Sequence, residues 1–67
     1  MNTLGERLKD KRTQKKMTQE YVANILKISR VTYTNYEKGK REPNIEILKK
    51  LADIYETSID FLTGRYN

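Results

Sequence analysis

Only two residues, Lys27 and Ile28, separate two segments that each carry a helical apolar period, and that brevity constrains this chain more than any other feature. Thr18 heads the first segment with a side-chain oxygen, and Val22, Ile25 and Leu26 follow at the spacing of one helix face. Ser29 heads the second, which runs from Arg30 to about Glu37. Two short helices meeting at a sharp corner are therefore expected between Thr18 and Lys38. In the second, Tyr33 and Tyr36 stand three residues apart and turn inward together, while Arg30, Thr34 and Asn35 stay outside. The expected result is an anchored helix with a polar outer face.

A rigid helix that shows Arg, Thr and Asn to solvent meets the requirement for reading DNA in the major groove, where donors and acceptors on base edges distinguish base pairs. The same residues also suit an ordinary solvated face, since surface helices are polar outside. Charge weighs toward the first reading. Residues 1–41 hold 11 Lys/Arg against 4 Asp/Glu, a net of +7, whereas residues 42–67 hold 3 against 5, a net of −2. The basic part contains the two-helix element, and a positive field draws a polyanion, most often nucleic acid. No segment has the amphipathic moment and large apolar residues of an interfacial helix, so a membrane is not expected as a partner.

With 67 residues the chain is expected to fold as one domain, 1–67, around one small core. It has no Cys and no His, which excludes disulfides, the usual zinc sites and thiol or imidazole nucleophiles. Asp10, Glu20, Asp53 and Asp60 are scattered at capping or surface positions, so no catalytic residue, metal, cofactor or small-molecule substrate is expected. The longest apolar runs are only a few residues long, without the pattern of a signal peptide or spanning segment, and the expected location is the cytoplasm.

The rest of the chain reads as helix as well. Asn2 or Thr3 caps a first helix to about Lys16, with Leu4, Leu8 and Arg12 on one stripe; an inward arginine calls for a partner. Lys15 and Lys16 suit the negative end of that helix, and Met17 closes onto the core. Gly39 ends the second helix of the central pair, and Lys40-Arg41-Glu42-Pro43 forms a basic loop. Asn44 caps a fourth helix, Ile45 to about Tyr55, with Ile45, Leu48, Leu51, Ala52 and Tyr55 on one face. Thr57 or Ser58 caps a last short helix with Ile59, Phe61 and Leu62, Gly64 ends it, and residues 65–67 form a loosely held tail. The expected fold is all-α, five short helices around one core.

In order, the chain shows Leu4-Gly5, Arg7-Leu8-Lys9, Arg12, Met17-Thr18-Gln19, Val22-Ala23, Leu26, Ile28-Ser29, Thr32-Tyr33, Tyr36-Glu37, Gly39-Lys40-Arg41, Pro43, Leu48, Leu51-Ala52 and Ser58-Ile59-Asp60-Phe61-Leu62. Over about residues 3–64 this resembles the phage repressor and Cro class of helix-turn-helix regulators, the Xre family, with the lambda repressor-like fold. Thr-Gln at the head of one helix and Glu-x-Gly-Lys-Arg-x-Pro after the next make the resemblance specific. It implies a transcriptional regulator, a repressor of double-stranded DNA sites, that dimerises on a pseudo-palindromic operator.

Residue by residue, the resemblance places Arg30, Val31, Thr34 and Asn35 against base edges and Thr32 against bases or backbone. Asn35 suits adenine, and Arg30 suits guanine or a phosphate. Thr18 and Gln19 stand where relatives meet a DNA phosphate, Gln19 also buttressing the reading helix, and Lys38, Lys40 and Arg41 match a phosphate-gripping loop. Arg12 and Glu37 match an ion pair, which supplies the arginine's partner. Ile59, Phe61, Leu62 and Tyr66 fall where relatives dimerise, plain core packing being the alternative for each. Lys16, Lys27 and Glu56 depart from the pattern at turns often filled by Gly or Asn, where a left-handed backbone costs a side-chain-bearing residue about 1 to 2 kcal/mol, so either the local backbone differs there or stability is given up. The competing function is a protein-interaction module of the same fold, such as an antitoxin or antirepressor, which an exposed apolar patch beside Phe61 would favour.

Overall fold

Among the described residues, every helix starts on a side-chain oxygen. In a computed structural model that describes residues 3–64, α1 (Leu4–Gln14), α2 (Gln19–Leu26), α3 (Arg30–Lys38), α4 (Ile45–Ile54) and α5 (Ile59–Thr63) begin at Thr3, Thr18, Ser29, Asn44 and Ser58. Each cap accepts the N–H three residues on, at 2.9 to 3.2 Å, and so satisfies a donor that the helix itself leaves open. Thr3 completes a reciprocal box, its own N–H donating to Glu6 Oε1 at 2.8 Å. Of the two alternatives at each end, Thr3 and Ser58 are the caps; Asn2 lies outside the described residues, as does the 65–67 tail.

The helices end by a shared device. Lys16, Lys27 and Glu56 adopt positive φ of 58°, 60° and 53°, and Gly39 and Gly64 adopt 75° and 81°. After three of these residues the next N–H reaches back to a carbonyl of the last turn, Met17 to Arg12, Ile28 to Ala23 and Thr57 to Ala52, at 2.9 to 3.1 Å. The three departures from glycine therefore keep the left-handed backbone and bear its steric cost. At the first, α1 stops at Gln14, earlier than Lys16, because Lys16 is the reversing residue.

The core consists of Leu8, Val22, Ala23, Leu26, Tyr33, Tyr36, Leu51, Ala52, Tyr55 and Leu62, with Leu4, Met17, Ile28, Ile47, Ile54, Ile59 and Phe61 packed around it. Two expected core residues lie elsewhere. Ile25 is 44% exposed, because the buried stripe of α2 is centred on Val22, Ala23 and Leu26 and Ile25 falls about 100° around the helix from its middle. Ile45 is 56% exposed in the first turn of α4, where it lines an open groove with Leu4, Pro43, Leu48 and Ile59.

α1 and α3 approach so closely that only a glycine fits between them. A Cβ on Gly5 would stand 2.2 Å from the carbonyl oxygen of Glu37 and 2.8 Å from that of Tyr36. Farther along, Arg12 Nε meets Glu37 Oε2 at 2.7 Å and Arg12 Nη2 meets Glu37 Oε1 at 3.2 Å, a two-pronged pair with side chains 13% and 4% exposed. Arg12 also donates to the carbonyl of Met17 at 3.0 Å, which ties the α1–α2 turn to α3.

Candidate nucleic-acid interface

Because α3 buries Tyr33 and Tyr36, its opposite side is set toward solvent. Arg30 and Val31 are exposed there, Val31 at 64%, and Thr32, Thr34 and Asn35 are half-buried. The hydroxyls of the two threonines are engaged within the protein. Thr32 Oγ1 lies 2.8 Å from Ser29 Oγ inside the helix cap, and Thr34 Oγ1 donates to Gln19 Oε1 at 2.9 Å. The carboxamide of Asn35 and the guanidinium of Arg30 make no hydrogen bond among the described residues, while the main-chain oxygen of Asn35 accepts from the N–H groups of Lys40 and Arg41 at 2.9 and 3.3 Å. Lys38, Lys40 and Arg41 are all exposed where α3 passes into its basic loop.

Gln19 is central to the geometry. Its Nε2 donates to Glu37 Oε1 at 3.0 Å while its Oε1 accepts from Thr34, so one side chain at the start of α2 grips α3 at two successive turns. A primary amide has two N–H groups, and only one is needed for Glu37; the other is available to a ligand. Gln19, Thr18 and Arg30 share one open depression. Thr18 accepts from the Tyr21 N–H, which leaves its hydroxyl proton to donate outward. The start of α2 also carries the positive end of the helix dipole, and Arg12 and Arg30 line the depression against one acidic residue, Glu20, so its balance of charge favours an anion.

Glu37 holds the assembly together from beneath. Burial pushes its carboxyl up, but hydrogen bonds from Arg12, Tyr33 and Gln19 and the charge of Arg12 outweigh burial and hold it below its ordinary value of 4.5. Tyr33 in turn meets Tyr55, the C-cap of α4, their hydroxyls 2.6 Å apart in the core. Burial pushes the Tyr55 hydroxyl up to about 12 and raises that of Tyr33 as well, so both stay protonated. The sequence carries no sign of this pair, because two tyrosines 22 residues apart read only as members of apolar faces.

The α5 candidates separate. Leu62 is fully buried, so the core-packing alternative is the correct one for it; its side chain is needed to fill the interior. Ile59 is half-buried along the groove that Ile45 lines. Phe61 is half-buried with Lys11 Nζ 4.8 Å and the Arg7 guanidinium 6.0 Å from its ring centre, so that ring is roofed by cations. Tyr66 lies outside the described residues. Among the described residues no helix is long and apolar enough to cross a membrane, and no group of acidic residues is clustered as metal ligands.

The helix-turn-helix family profile matches residues 8–62. The chain belongs to this family. Its relatives include the HTH-type transcriptional regulator AnsR of Bacillus subtilis, 42% identical over 90% of this chain and 52% of AnsR, and the SPbeta prophage-derived regulator YonR of the same organism, 48% identical over 87% and 54%. The cryptic phage CTXphi transcriptional repressor RstR of Vibrio cholerae is 43% identical over 94% of this chain and 56% of its own length. The chain thus spans about half the length of the curated relatives it matches. Among solved structures, the P22 c2 repressor in complex with a synthetic operator superposes with a TM-score of 0.91 at 27% identity, over 98% of this chain and 100% of that one. The resemblance to phage repressors that the motifs carry is therefore present in sequence and in fold, and the fold is the expected all-α, lambda repressor-like one.

Proposed function

We propose that this helix-turn-helix chain, as one domain, is a sequence-specific double-stranded DNA-binding transcriptional regulator, a cytoplasmic repressor that occupies a pseudo-palindromic operator as a homodimer. The observation that carries the reading is the set of side chains on the solvent side of α3 that make no hydrogen bond among the described residues, Arg30, Val31 and Asn35, between the start of α2 and the basic residues Lys38, Lys40 and Arg41. Arg30 and Asn35 offer donors and acceptors of the kind that pair with guanine and adenine, and Val31 offers an apolar contact to a thymine methyl. Thr34 acts differently, through Gln19, which it helps to orient toward phosphate. Regulation follows from occupancy and includes no catalytic step.

A single α3 covers only a few base pairs, so two copies are needed to span an operator, their helices about 34 Å apart in successive major grooves. The groove lined by Leu4, Pro43, Ile45, Leu48 and Ile59, with Glu42, Asp60 and Thr63 at its polar edge, begins where the basic loop ends and supports pairing, with Ile45 as its most exposed apolar residue. The cations over Phe61 weigh against an apolar protein-binding patch at that position. The test is selection of duplexes from a random-sequence pool at near-physiological salt. Enrichment of a two-fold symmetric site, with half-sites about one helical turn apart, is expected; retention without an enriched motif at any protein concentration contradicts the reading.

A further inference from the structure

The side of α3 that faces away from the proposed DNA surface is held by polar bonds as well as by packing. Tyr33 reaches Tyr55, the C-cap of α4, at 2.6 Å, and four residues along the same helix Glu37 reaches Arg12 on α1 and Gln19 on α2. Three neighbouring helices therefore each hold α3 by a directional bond. Hydrophobic packing is tolerant of small rotations, because it depends on area and not on angle. Hydrogen bonds are not, since they weaken steeply once the donor is misaligned. The Tyr33–Tyr55 pair lies beside Thr34 in sequence and directly behind the reading face.

Small rotations matter on that face. Side-chain tips stand about 5 to 6 Å from a helix axis, so a turn of about 10° moves them by about 1 Å, enough to break a bidentate contact to a base. The proposed phosphate grip tolerates the same rotation better: Thr18 and Gln19 start another helix, and Lys38, Lys40 and Arg41 are exposed, long side chains that meet a phosphate as charges and not at a fixed angle. We propose that Tyr55, 1% exposed and unable to touch DNA, is a specificity-determining positioning residue: its hydroxyl, through Tyr33, fixes the rotation of the reading helix and so sets discrimination between operator and other DNA, not the overall grip. The inference rests on the DNA-reading function proposed above.

The test uses the full chain, the duplex enriched by selection and a scrambled duplex of equal length. Tyr55→Phe keeps the ring and removes the hydroxyl. Affinity for the enriched duplex is expected to fall about tenfold, while affinity for the scrambled duplex and its salt dependence stay within about twofold. The double variant Tyr33→Phe/Tyr55→Phe removes both hydroxyls of the pair, so neither is left facing a missing partner and its thermal stability recovers in part, the Tyr33 bond to Glu37 being lost with it. Its discrimination is expected to remain low, because the directional bond is still missing. Discrimination that recovers together with stability, or that never changes in Tyr55→Phe, overturns the proposal and leaves the pair a packing feature. In the free variants, amide chemical shifts of residues 30–35 are expected to move while those of α5 stay fixed; unmoved shifts in α3 also overturn it. A wild-type chain that does not discriminate between duplexes fails at the earlier step, and that result removes the DNA-reading function and this inference together.

Discussion

At residue scale the chain separates groups proposed to face DNA from groups that hold them in place. The carboxamide of Asn35 has no partner among the described residues, so Asn35→Ala is expected to cost about 1 to 3 kcal/mol on the enriched site and to relax preference at one base-pair position, read by repeating the selection with the variant. Glu37 is the opposite case, a 4% exposed carboxylate that bonds inward to Arg12 and Gln19. Its folded carboxyl lies below the ordinary 4.5, so the unfolded chain takes up the proton first as pH drops. The pair's contribution is fully present above about pH 4.5 and is lost as pH falls through the lower folded value. Denaturant titrations from pH 7 to pH 2 should therefore show an acid limb that Glu37→Gln flattens. The variant should also be less stable at pH 7, since it strands the half-buried Arg12 charge, by about 3 kcal/mol.

At the scale of elements, helix boundaries are written in the sequence because they depend on single side chains. Thr18, Ser29 and Asn44 fix their helix starts through one short bond each, which a reader of the sequence can see. Faces are harder to read. Periodicity says which residues share a side, yet it does not say where a neighbouring helix ends, and for that reason Ile25 and Ile45 read as core although they are exposed. Partners between side chains are harder still: that Thr34 bonds Gln19, and Tyr33 bonds Tyr55, depends on packing angles that no spacing encodes. Gly5 did carry a signal, since a glycine inside a helix is costly and points to close approach by another backbone. At Lys16, Lys27 and Glu56 the sequence leaves open a changed backbone or a strained one, and the strained one is found. Lys27 at φ 60° is an unfavourable choice, so Lys27→Gly is expected to raise unfolding free energy by about 0.5 to 1 kcal/mol, steric relief outweighing the added freedom of the unfolded chain. Thermal melts of the two forms measure it, and a destabilised variant would mean that the lysine side chain contributes more than its backbone costs.

For the whole molecule, residues 1–41, net +7, carry the proposed reading face, and residues 42–67, net −2, supply most of the groove proposed for pairing. Ile45→Asp tests that division. Ile45 is 56% exposed, so the melting temperature should change little, whereas sedimentation should shift toward monomer and affinity for the two-half-site duplex should fall more than affinity for a single half-site. Equal losses on both duplexes would place the pairing surface elsewhere.

The self-contained helix ends have a consequence in time. Each of the five helices has its own start, from a side chain three residues away, and its own reversing residue, so their limits are set by neighbours in sequence before any distant contact exists. A chain whose segments know their lengths in advance has only to dock them, and small helical proteins dominated by near-neighbour contacts reach the native state in about microseconds to milliseconds. Temperature-jump relaxation should therefore show a single fast phase. Ser29→Ala, at the cap of the reading helix, should slow that phase if α3 is formed when the chain crosses its folding barrier, and should instead hasten unfolding if α3 locks in afterwards.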